Sequence, residues 1–212
     1  MSASASNVLN PSRPFSARQE QILDAAEACF VRNGYNRSTM QDIAKEAAMS
    51  SPNIYRYFVS KEAVLVSIAD RERQRSDDRI GQFEAVGDKR SALMRIIEYY
   101  HFDVTRAHAT LRLEIWAEAT RNAEVGALVQ GREKSGRDWL ADAVASLATS
   151  PDCDPHALFE AISALLKGVI VCRALFDDYN VGPAVAQLHA LIETALAGQM
   201  PKAPQRKGSV DG

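Results

Sequence analysis

The segment from Ser38 to Lys61 constrains the fold of this chain more than any other, because it reads as two short helices joined by a tight turn. Ser38 followed three residues later by Gln41 is a capping-box pattern, which predicts the start of a helix. Apolar residues then recur at the spacing of one helical face as far as Ala47. A first short helix is therefore predicted from about Thr39 to Ala47.

The second short helix is predicted from about Ser51 to Phe58, after a break centred on Ala48. Ser50 is a candidate N-cap, and Pro52 falls in the first turn, where its missing N–H leaves no hydrogen bond unmade. Two short helices with a turn of three or four residues between them form a helix-turn-helix. In that geometry the second helix enters the major groove of DNA.

A scaffold helix is predicted on each side of this motif. Before it, Ser16 and Gln19 form another capping box, and the apolar stripe that follows ends at a C-cap signal, Asn33-Gly34. After it, Lys61 opens a long helix whose middle part, residues 70–79, is almost entirely charged. Such a run is typical of a solvated helix face.

The rest of the chain shows helical patterns and no alternation typical of strands, so the predicted fold class is all-α. Four regions are predicted: a disordered arm (1–13), a three-helix helix-turn-helix domain (14–60), a larger helical-bundle body (61–200) and a flexible tail (201–212). In the body, helices are predicted near residues 91–107, 110–121, 124–148, 155–177 and 183–200.

Charge does not mark this chain as a nucleic-acid binder. The formal net charge is -2, and residues 13–63 hold seven Lys or Arg against six Asp or Glu. Any affinity for DNA must therefore come from local placement of charge. The three cysteines are scattered and no signal peptide is recognisable, which predicts a cytoplasmic protein. The longest apolar region contains charged residues, which argues against a membrane span.

No motif for catalysis, cofactor binding or metal binding is found in the sequence. The chain has no Gly-rich phosphate loop, no paired-cysteine zinc spacing and no G-x-S-x-G nucleophile. His101 and His108 share a helical face but lie two turns apart, about 10 Å, which is too far for a shared metal without other ligands. An enzyme is therefore not expected, and neither a cofactor nor a metal is predicted.

The last two helices carry more apolar residues than one buried stripe needs, which predicts a second partner for them. The simplest partner is the same pair of helices in another subunit, giving a homodimer. The predicted interface residues are Leu158, Ile162, Leu165, Leu166, Val185, Leu188, Ile192 and Leu196.

Residues 16–68 resemble the TetR family of bacterial transcriptional regulators. The resemblance rests on the apolar helix ending in N-G-Y, then S-T-M-Q-D-I-A-K-E-A, then I-Y-R-Y-F followed by S-K-E-A-V, all in order and at compatible spacings. Ala48 departs from the Gly that the family usually has at the turn. We expect a small residue to serve there if its backbone stays out of the left-handed region.

The resemblance implies that this chain contacts DNA through the motif. Thr39 would contact phosphate at the start of the first short helix, and Lys61 would contact the DNA backbone at the start of the next long helix. Asn53 suits adenine, Arg56 suits guanine or phosphate, and Ile54 and Phe58 are predicted core residues. The remaining recognition-helix positions are Ser51, Pro52, Tyr55 and Tyr57, of which the two tyrosines would set register on phosphates.

The resemblance also implies an effector pocket in the helical body, where an apolar or aromatic small molecule would change the separation of two DNA-binding domains. Each residue that could line this pocket could equally well be an ordinary core residue. The candidate lining residues are Phe102, Leu113, Trp116, Trp139, Val169, Arg173 and Phe176.

The leading hypothesis is a dimeric repressor that binds a palindromic operator in double-stranded DNA and is released by an effector. The alternative is a helical ligand-sensing or protein-interaction module that does not bind an operator. DNA binding separates the two.

Overall fold

The computed structural model describes residues 14–200, except for the side chains of residues 86 and 100–102. Every regular element in these residues is an α-helix, which confirms the predicted fold class. The predicted arm (1–13) and tail (201–212) lie outside the described residues. The helices are α1 (Ala17–Asn33), α2 (Met40–Glu46), α3 (Ser51–Tyr55), α4 (Lys61–Val86), α5 (Lys89–Phe102), α6 (Arg106–Ala119), α7 (Ala123–Leu147), α8 (Pro155–Leu175) and α9 (Gly182–Leu196).

The helices divide into two compact units, and the division differs from the predicted boundary at residue 60. The HTH unit comprises residues 14–79 and 106–133, and the body unit comprises residues 80–105 and 134–200. The boundary between units therefore falls inside α4 and inside α7. The sequence assigned α6 to the body, but Leu111 and Ile115 of that helix are buried in the same core as α1.

The predicted start and end of α1 are both confirmed. Ser16 is the N-cap, and its hydroxyl accepts a hydrogen bond from the Gln19 backbone while the Gln19 side chain accepts one from the Ser16 backbone. The helix ends at Gly34, whose φ of +81° is a conformation that residues with a Cβ rarely adopt. The apolar stripe between the caps, from Ile22 to Phe30, is buried in the core of the HTH unit.

The start of α2 lies one residue later than predicted. Thr39, and not Ser38, is the N-cap, and it forms a capping box with Asp42 in place of Gln41. Ser38 is buried, and its hydroxyl lies within hydrogen-bond distance of the Cys29 carbonyl (3.2 Å) and the Gly34 carbonyl (2.9 Å). Because the Ser38 hydroxyl is already hydrogen-bonded to carbonyls at the end of α1, Thr39 caps α2 instead.

The turn between α2 and α3 places Ala48 in the left-handed region, with φ of +51°. This corrects the expectation that its backbone would stay out of that region. The Met49 N–H bonds to the Ala44 carbonyl and the Ala48 N–H to the Lys45 carbonyl, the pair of bonds that ends a helix in a Schellman motif. The Gln21 side chain of α1 also donates to the Ala47 carbonyl at 2.8 Å, which holds the turn against the scaffold helix.

We predict that Ala48→Gly stabilises the HTH unit by about 0.5–1 kcal/mol. Relief of the left-handed strain on an L-residue, about 1–2 kcal/mol, exceeds the extra chain entropy of glycine in the unfolded state. Urea unfolding followed by circular dichroism measures the change. The matched control is Ala47→Gly, where φ is −73° and glycine relieves no strain. Ala47→Gly should be destabilised, and an equal change in the free energy of unfolding for Ala48→Gly and Ala47→Gly would contradict the prediction.

The charged section of α4 is less solvated than predicted. Asp70 and Arg71 are both buried, and the Arg71 guanidinium faces α1. It donates to Glu20 (2.7 Å), Asp24 (2.8 Å) and Glu27, three carboxylates spaced along one face of that helix. An ionic clamp, defined here as Arg71 with these three carboxylates, therefore fixes α4 to α1 inside the HTH unit.

The core of the body unit contains most of the residues predicted for the dimer interface, and this corrects the prediction. Leu158 and Ile162 of α8 pack with residues of α5, α7 and α9 and are buried within one chain. Side chains enclosed by their own chain present no surface to a partner. The same is true of Leu188, Ile192 and Leu196. Leu166 and Val185 are half-buried beside this core, and only Leu165 of the eight is exposed.

Among the described residues, no helix is long and apolar enough to cross a membrane.

Candidate nucleic-acid interface

The recognition segment, residues 51–59, has one side fixed in the core and one side at the surface. Ile54 is fully buried and Phe58 is 4% exposed, as predicted for core residues. Tyr55 is 51% exposed, Tyr57 is 38% exposed and Val59 is 80% exposed. Because the two buried side chains lie four residues apart, they anchor the segment to the core and turn its other face outward.

Most of the residues predicted to contact bases or phosphates lie on the surface side of this segment. Pro52 and Arg56 are exposed, and Ser51 and Asn53 are half-buried. Arg56 is the C-cap of α3, and its backbone N–H bonds to the Asn53 and Ile54 carbonyls. Ser50 is the N-cap but makes no side-chain capping bond. The five-residue helix is therefore held by its buried residues more than by its caps.

Thr39 is exposed at the start of α2, but its hydroxyl already has partners. The hydroxyl donates to Asp42 at 2.7 Å and accepts from the Asp42 backbone N–H at 3.2 Å. The Thr39 hydroxyl and the Thr39 backbone N–H both donate to the Asp42 carboxylate, and these two bonds lower the pKa of the Asp42 carboxyl, which stays ionised. A phosphate that bonded to this hydroxyl would have to replace the Asp42 carboxylate as its acceptor.

Lys61 is half-buried and points its charge into the protein. Its Nζ donates to the Tyr35 carbonyl at 2.8 Å and to the Asn36 carbonyl at 3.4 Å. The same atom lies 4.4 Å from the centroid of the Tyr35 ring. The Lys61 ammonium group therefore pairs with backbone carbonyls of the connection between α1 and α2.

Val59 is a surface residue of this segment that the sequence did not single out. It follows Phe58 in an apolar run, and nothing in the pattern distinguishes a core valine from an exposed one. Its methyl groups are 80% exposed at the end of the recognition segment. Apolar side chains of this kind can contact the methyl group of thymine in the major groove.

Comparison with known families identifies the chain. The profile of the bacterial regulatory proteins of the tetR family matches residues 22–68, which include α2 and α3. The C-terminal profile of BetI-type transcriptional repressors matches residues 89–198, more than half of the chain. The chain belongs to the TetR family. As a member it is a helix-turn-helix, DNA-binding transcriptional regulator, which confirms the leading class of function and removes the alternative that does not bind DNA.

Curated relatives within the TetR family span most of the chain. The regulator UidR of Escherichia coli is 27% identical over 155 residues, which cover 71% of this chain and 78% of that protein. An uncharacterised HTH-type transcriptional regulator of Xanthobacter autotrophicus is 30% identical over 159 residues, covering 72% of this chain and 76% of that one.

Solved structures of regulators show the same fold at lower identity. The fatty acid degradation regulator FadR from Bacillus halodurans aligns with a TM-score of 0.72 at 20% identity, covering 88% of this chain and 98% of that one. A regulator from Saccharomonospora viridis, solved in complex with choline, aligns with a TM-score of 0.72 at 23% identity, covering 82% and 95%.

The residues predicted for a TetR-type effector pocket are distributed over both units. Leu113 and Trp116 of α6 are half-buried in the HTH unit, whereas Trp139, Val169, Arg173 and Phe176 belong to the body unit. The side chain of Phe102 lies outside the described residues.

Two of these side chains already have partners within the body unit. The Trp139 indole donates to Glu84 at 2.7 Å, and the Arg173 guanidinium donates to the Val104 carbonyl at 2.7 Å. Val169 is buried and Phe176 is 55% exposed, so these two do not share one environment.

Proposed function

We propose that this regulator is a homodimeric repressor that reads a palindromic operator with the exposed side of the recognition segment in each subunit. The observation that carries the proposal is the exposed face of Tyr55, Arg56 and Val59 opposite the buried Ile54 and Phe58. A rigidly anchored segment with polar and aromatic side chains outward suits docking in a major groove.

The chemistry of each side chain in the recognition segment suggests a different contact with the DNA. Asn53 reads adenine with its paired donor and acceptor, and Arg56 binds guanine or a phosphate. Tyr55 and Tyr57 set the register through hydroxyl contacts to phosphates, and Val59 packs on a thymine methyl. Ser51 and Pro52 begin the helix against the groove, and Thr39 binds a backbone phosphate by exchanging its Asp42 partner.

The homodimer forms through an uncharged stripe on the exposed face of α8. This stripe comprises the adjacent Ala164 and Leu165, followed at spacings of three or four residues by Gly168, Val171 and Leu175. The nearby charged residues are engaged elsewhere: Lys167 donates to Ser163, and Arg173 donates to the Val104 carbonyl. A surface helix normally turns charged residues outward, so an uncharged outward stripe supports a protein interface.

The adjacent helix α9 supports the same surface. Its exposed positions are mostly small, with Pro183, Ala186 and Ala190 one turn apart, and α9 packs against α8. Small residues allow close approach of a second pair of helices. A second copy of the chain is the expected partner because a twofold dimer matches the symmetry of a palindromic operator.

The effector is proposed to be a small apolar or aromatic molecule that binds the helical body and favours a spacing of the two recognition segments that no longer fits the operator. Trp139, Val169, Arg173 and Phe176 of the body unit are the proposed lining residues. The solved relative in complex with choline is a case of a small molecule bound by this fold. Since the target is chromosomal DNA, the protein is proposed to act in the cytoplasm.

We predict that Arg56→Ala weakens operator binding by about 1–3 kcal/mol for each half-site, because the only exposed guanidinium of the recognition segment is lost. A mobility-shift assay with the DNA upstream of the gene, repeated over a salt series, measures the loss. If Arg56 contacts phosphate, the slope of log K against log salt falls by about 0.9 per subunit, whereas loss of a guanine contact leaves the slope unchanged.

Arg95→Ala is the matched control, since Arg95 is an exposed arginine of the body unit. It removes the same charge from the chain and should leave operator binding unchanged. Equal affinity of the Arg56→Ala and wild-type proteins for a retarded fragment would contradict the proposed interface.

A further inference from the structure

Residues 14–63, which contain the helix-turn-helix, have equal numbers of basic and acidic side chains but do not distribute them evenly. They hold six Lys or Arg and six Asp or Glu. Three of the carboxylates belong to the ionic clamp and bind Arg71, which lies outside this stretch. The remaining surface of the stretch therefore carries six basic groups against three acidic ones.

The three other carboxylates are also engaged within the protein. Glu46 pairs with Arg32 at 2.7 Å. Asp42 belongs to the capping box of α2, and Glu62 accepts from a buried tyrosine hydroxyl at 3.4 Å. Within residues 14–63, Arg32 is therefore the only arginine that pairs with a carboxylate.

Arg18 is one of the arginines whose charge no carboxylate of the described residues matches. It is exposed in the first turn of α1. Residues two apart on an α-helix lie about 160° apart around its axis, so Arg18 faces away from Glu20 and from the ionic clamp. The Arg18 guanidinium donates instead to the amide oxygen of Gln21 at 2.7 Å.

Gln21 ties Arg18 to the helix-turn-helix. A glutamine amide offers both an acceptor and donors, and here the oxygen accepts from Arg18 while the nitrogen donates to the Ala47 carbonyl at 2.8 Å. Ala47 is the C-cap of α2, and the recognition segment begins four residues later. Arg18 is thus held beside the end of α2.

Arg37 occupies the corresponding place beside the start of α2. It is exposed in the connection from α1, two residues before the N-cap Thr39. Its Nε donates to the Asn33 carbonyl at 2.9 Å, which fixes the stem of the side chain. A guanidinium has five N–H donors, so the two terminal nitrogens of Arg37 remain for an acceptor outside the protein. One exposed arginine therefore lies beside each end of α2.

The first helix of a helix-turn-helix crosses the DNA backbone when the second enters the major groove. We propose that Arg18 and Arg37 each bind a phosphate of that backbone, one beside each end of α2, and so extend the DNA contact beyond the recognition segment. Neither residue is among the contacts that the family resemblance implied. The inference rests on the proposed docking of the recognition segment, and it does not depend on repression, on the effector or on the dimer surface.

Phosphate contacts are measured by the response of binding to salt. Each contact releases counterions, so Arg18→Gln and Arg37→Gln should each lower the magnitude of the slope of log K against log salt by about 0.9 per subunit, and the double variant by about 1.8. The DNA is a duplex that the wild-type protein selects from a random library, and mobility shift over a salt series gives the slope. Because phosphates carry no sequence information, each variant should select the same sequence as the wild type.

Three control variants separate a phosphate contact from a structural effect. Arg18→Lys and Arg37→Lys keep the charge and lose the planar fork, so both should keep the wild-type slope. Arg75→Gln removes the same charge from a side chain of the HTH unit that pairs with Glu72, and it should leave the slope unchanged. Far-ultraviolet circular dichroism establishes that every variant is folded at the assay temperature.

The outcomes distinguish this inference from the proposed reading by the recognition segment. Wild-type slopes for both glutamine variants overturn it, and so does a lysine variant whose slope falls as far as that of its glutamine counterpart. Arg56→Ala is measured on the same duplex. If it loses affinity while the glutamine variants keep the wild-type slope, the recognition segment reads the DNA and the extended contact alone is wrong. A wild-type protein that selects no duplex overturns both.

Discussion

Replacing Arg71 by methionine destabilises the HTH unit by about 3 kcal/mol, the largest stability change that we expect from a single side chain of this protein. Arg71 is 2% exposed and donates to Glu20, Asp24 and Glu27 across the contact between α4 and α1. Glu20 and Asp24 are exposed enough for water to take over their solvation. Glu27 is not, and the loss comes mainly from leaving its carboxylate without a cation. Urea unfolding of the full chain measures the change.

The cost of Arg71→Met should depend on pH through Glu27. Burial raises the pKa of the Glu27 carboxyl, and this effect outweighs the attraction of Arg71, which lowers it. Removing Arg71 raises the pKa further. A carboxyl whose pKa is higher in the folded than in the unfolded state favours folding while it is protonated, and that contribution is lost as pH rises through the folded pKa. The penalty should therefore be full near neutral pH and smaller at about pH 5.

Arg75→Met is the matched control for this prediction. Arg75 lies on the same helix, one turn further on, and pairs with Glu72 at 3.4 Å, but its side chain is 43% exposed. The half-exposed Arg75 side chain contributes little, so we expect a loss below about 0.5 kcal/mol. Arg75 is a weaker electrostatic partner of Glu27 than Arg71 is, so the loss should depend on pH less than that of Arg71→Met. If Arg71→Met cost no more than Arg75→Met, the ionic clamp would not be holding α1 to α4.

The start of a helix in this chain could be predicted from its capping residues wherever the sequence contained a single candidate cap. Ser16 and Gln19 were the only candidates for the first cap, and both act as predicted. At α2 the sequence predicted Ser38 with Gln41 as the capping box, whereas the structure uses Thr39 with Asp42, one residue further on, which fits the related pattern of Ser or Thr followed by Asp or Glu. The choice is made by carbonyls at the end of α1 that accept from the Ser38 hydroxyl, and those partners, Cys29 and Gly34, lie outside the capping pattern.

Charged and apolar side chains were harder to place, because their surroundings depend on tertiary packing. Residues 70–79 read as a solvated helix face, yet Arg71 is buried by the carboxylates of α1. No pattern within α4 distinguishes this arginine from Arg75. For Lys61 the family pattern identified the residue, but its orientation toward the Tyr35 carbonyl becomes visible only when α1 and α4 are both in place.

The proposed dimer interface illustrates what an apolar sequence pattern can and cannot predict. The sequence indicated that α8 has more apolar residues than one stripe needs, and the structure bears out that surplus. It could not say which stripe faces inward, because leucine and valine occur on both. Leu158 and Ile162 lie in the core, and the stripe left at the surface is centred on Gly168 and Val171.

This outward stripe predicts that Gly168→Glu abolishes the dimer and, with it, most of the operator affinity. A Cβ added at Gly168 meets no atom within 4 Å in the single chain, so the substitution fits the protomer and removes a poor helix former. In a dimer the same carboxylate would be buried against the uncharged stripe of the partner without a cation. Losing the link between two recognition segments lowers operator affinity by about 10²–10⁴-fold.

Gly131→Glu separates this effect from a general effect of added charge. Gly131 is also exposed within a helix, and a Cβ there also meets nothing within 4 Å, but it is a residue of α7 in the HTH unit and not part of the α8 stripe. Sedimentation equilibrium should give a monomer for Gly168→Glu and a dimer for Gly131→Glu, with equal helix content by circular dichroism. A Gly168→Glu protein that sediments as a dimer would place the interface elsewhere. A Cβ at this position fits the single chain, so the loss of operator affinity in Gly168→Glu comes from the loss of the dimer. That loss measures how strongly a nearly neutral DNA-binding domain depends on being paired with a second copy.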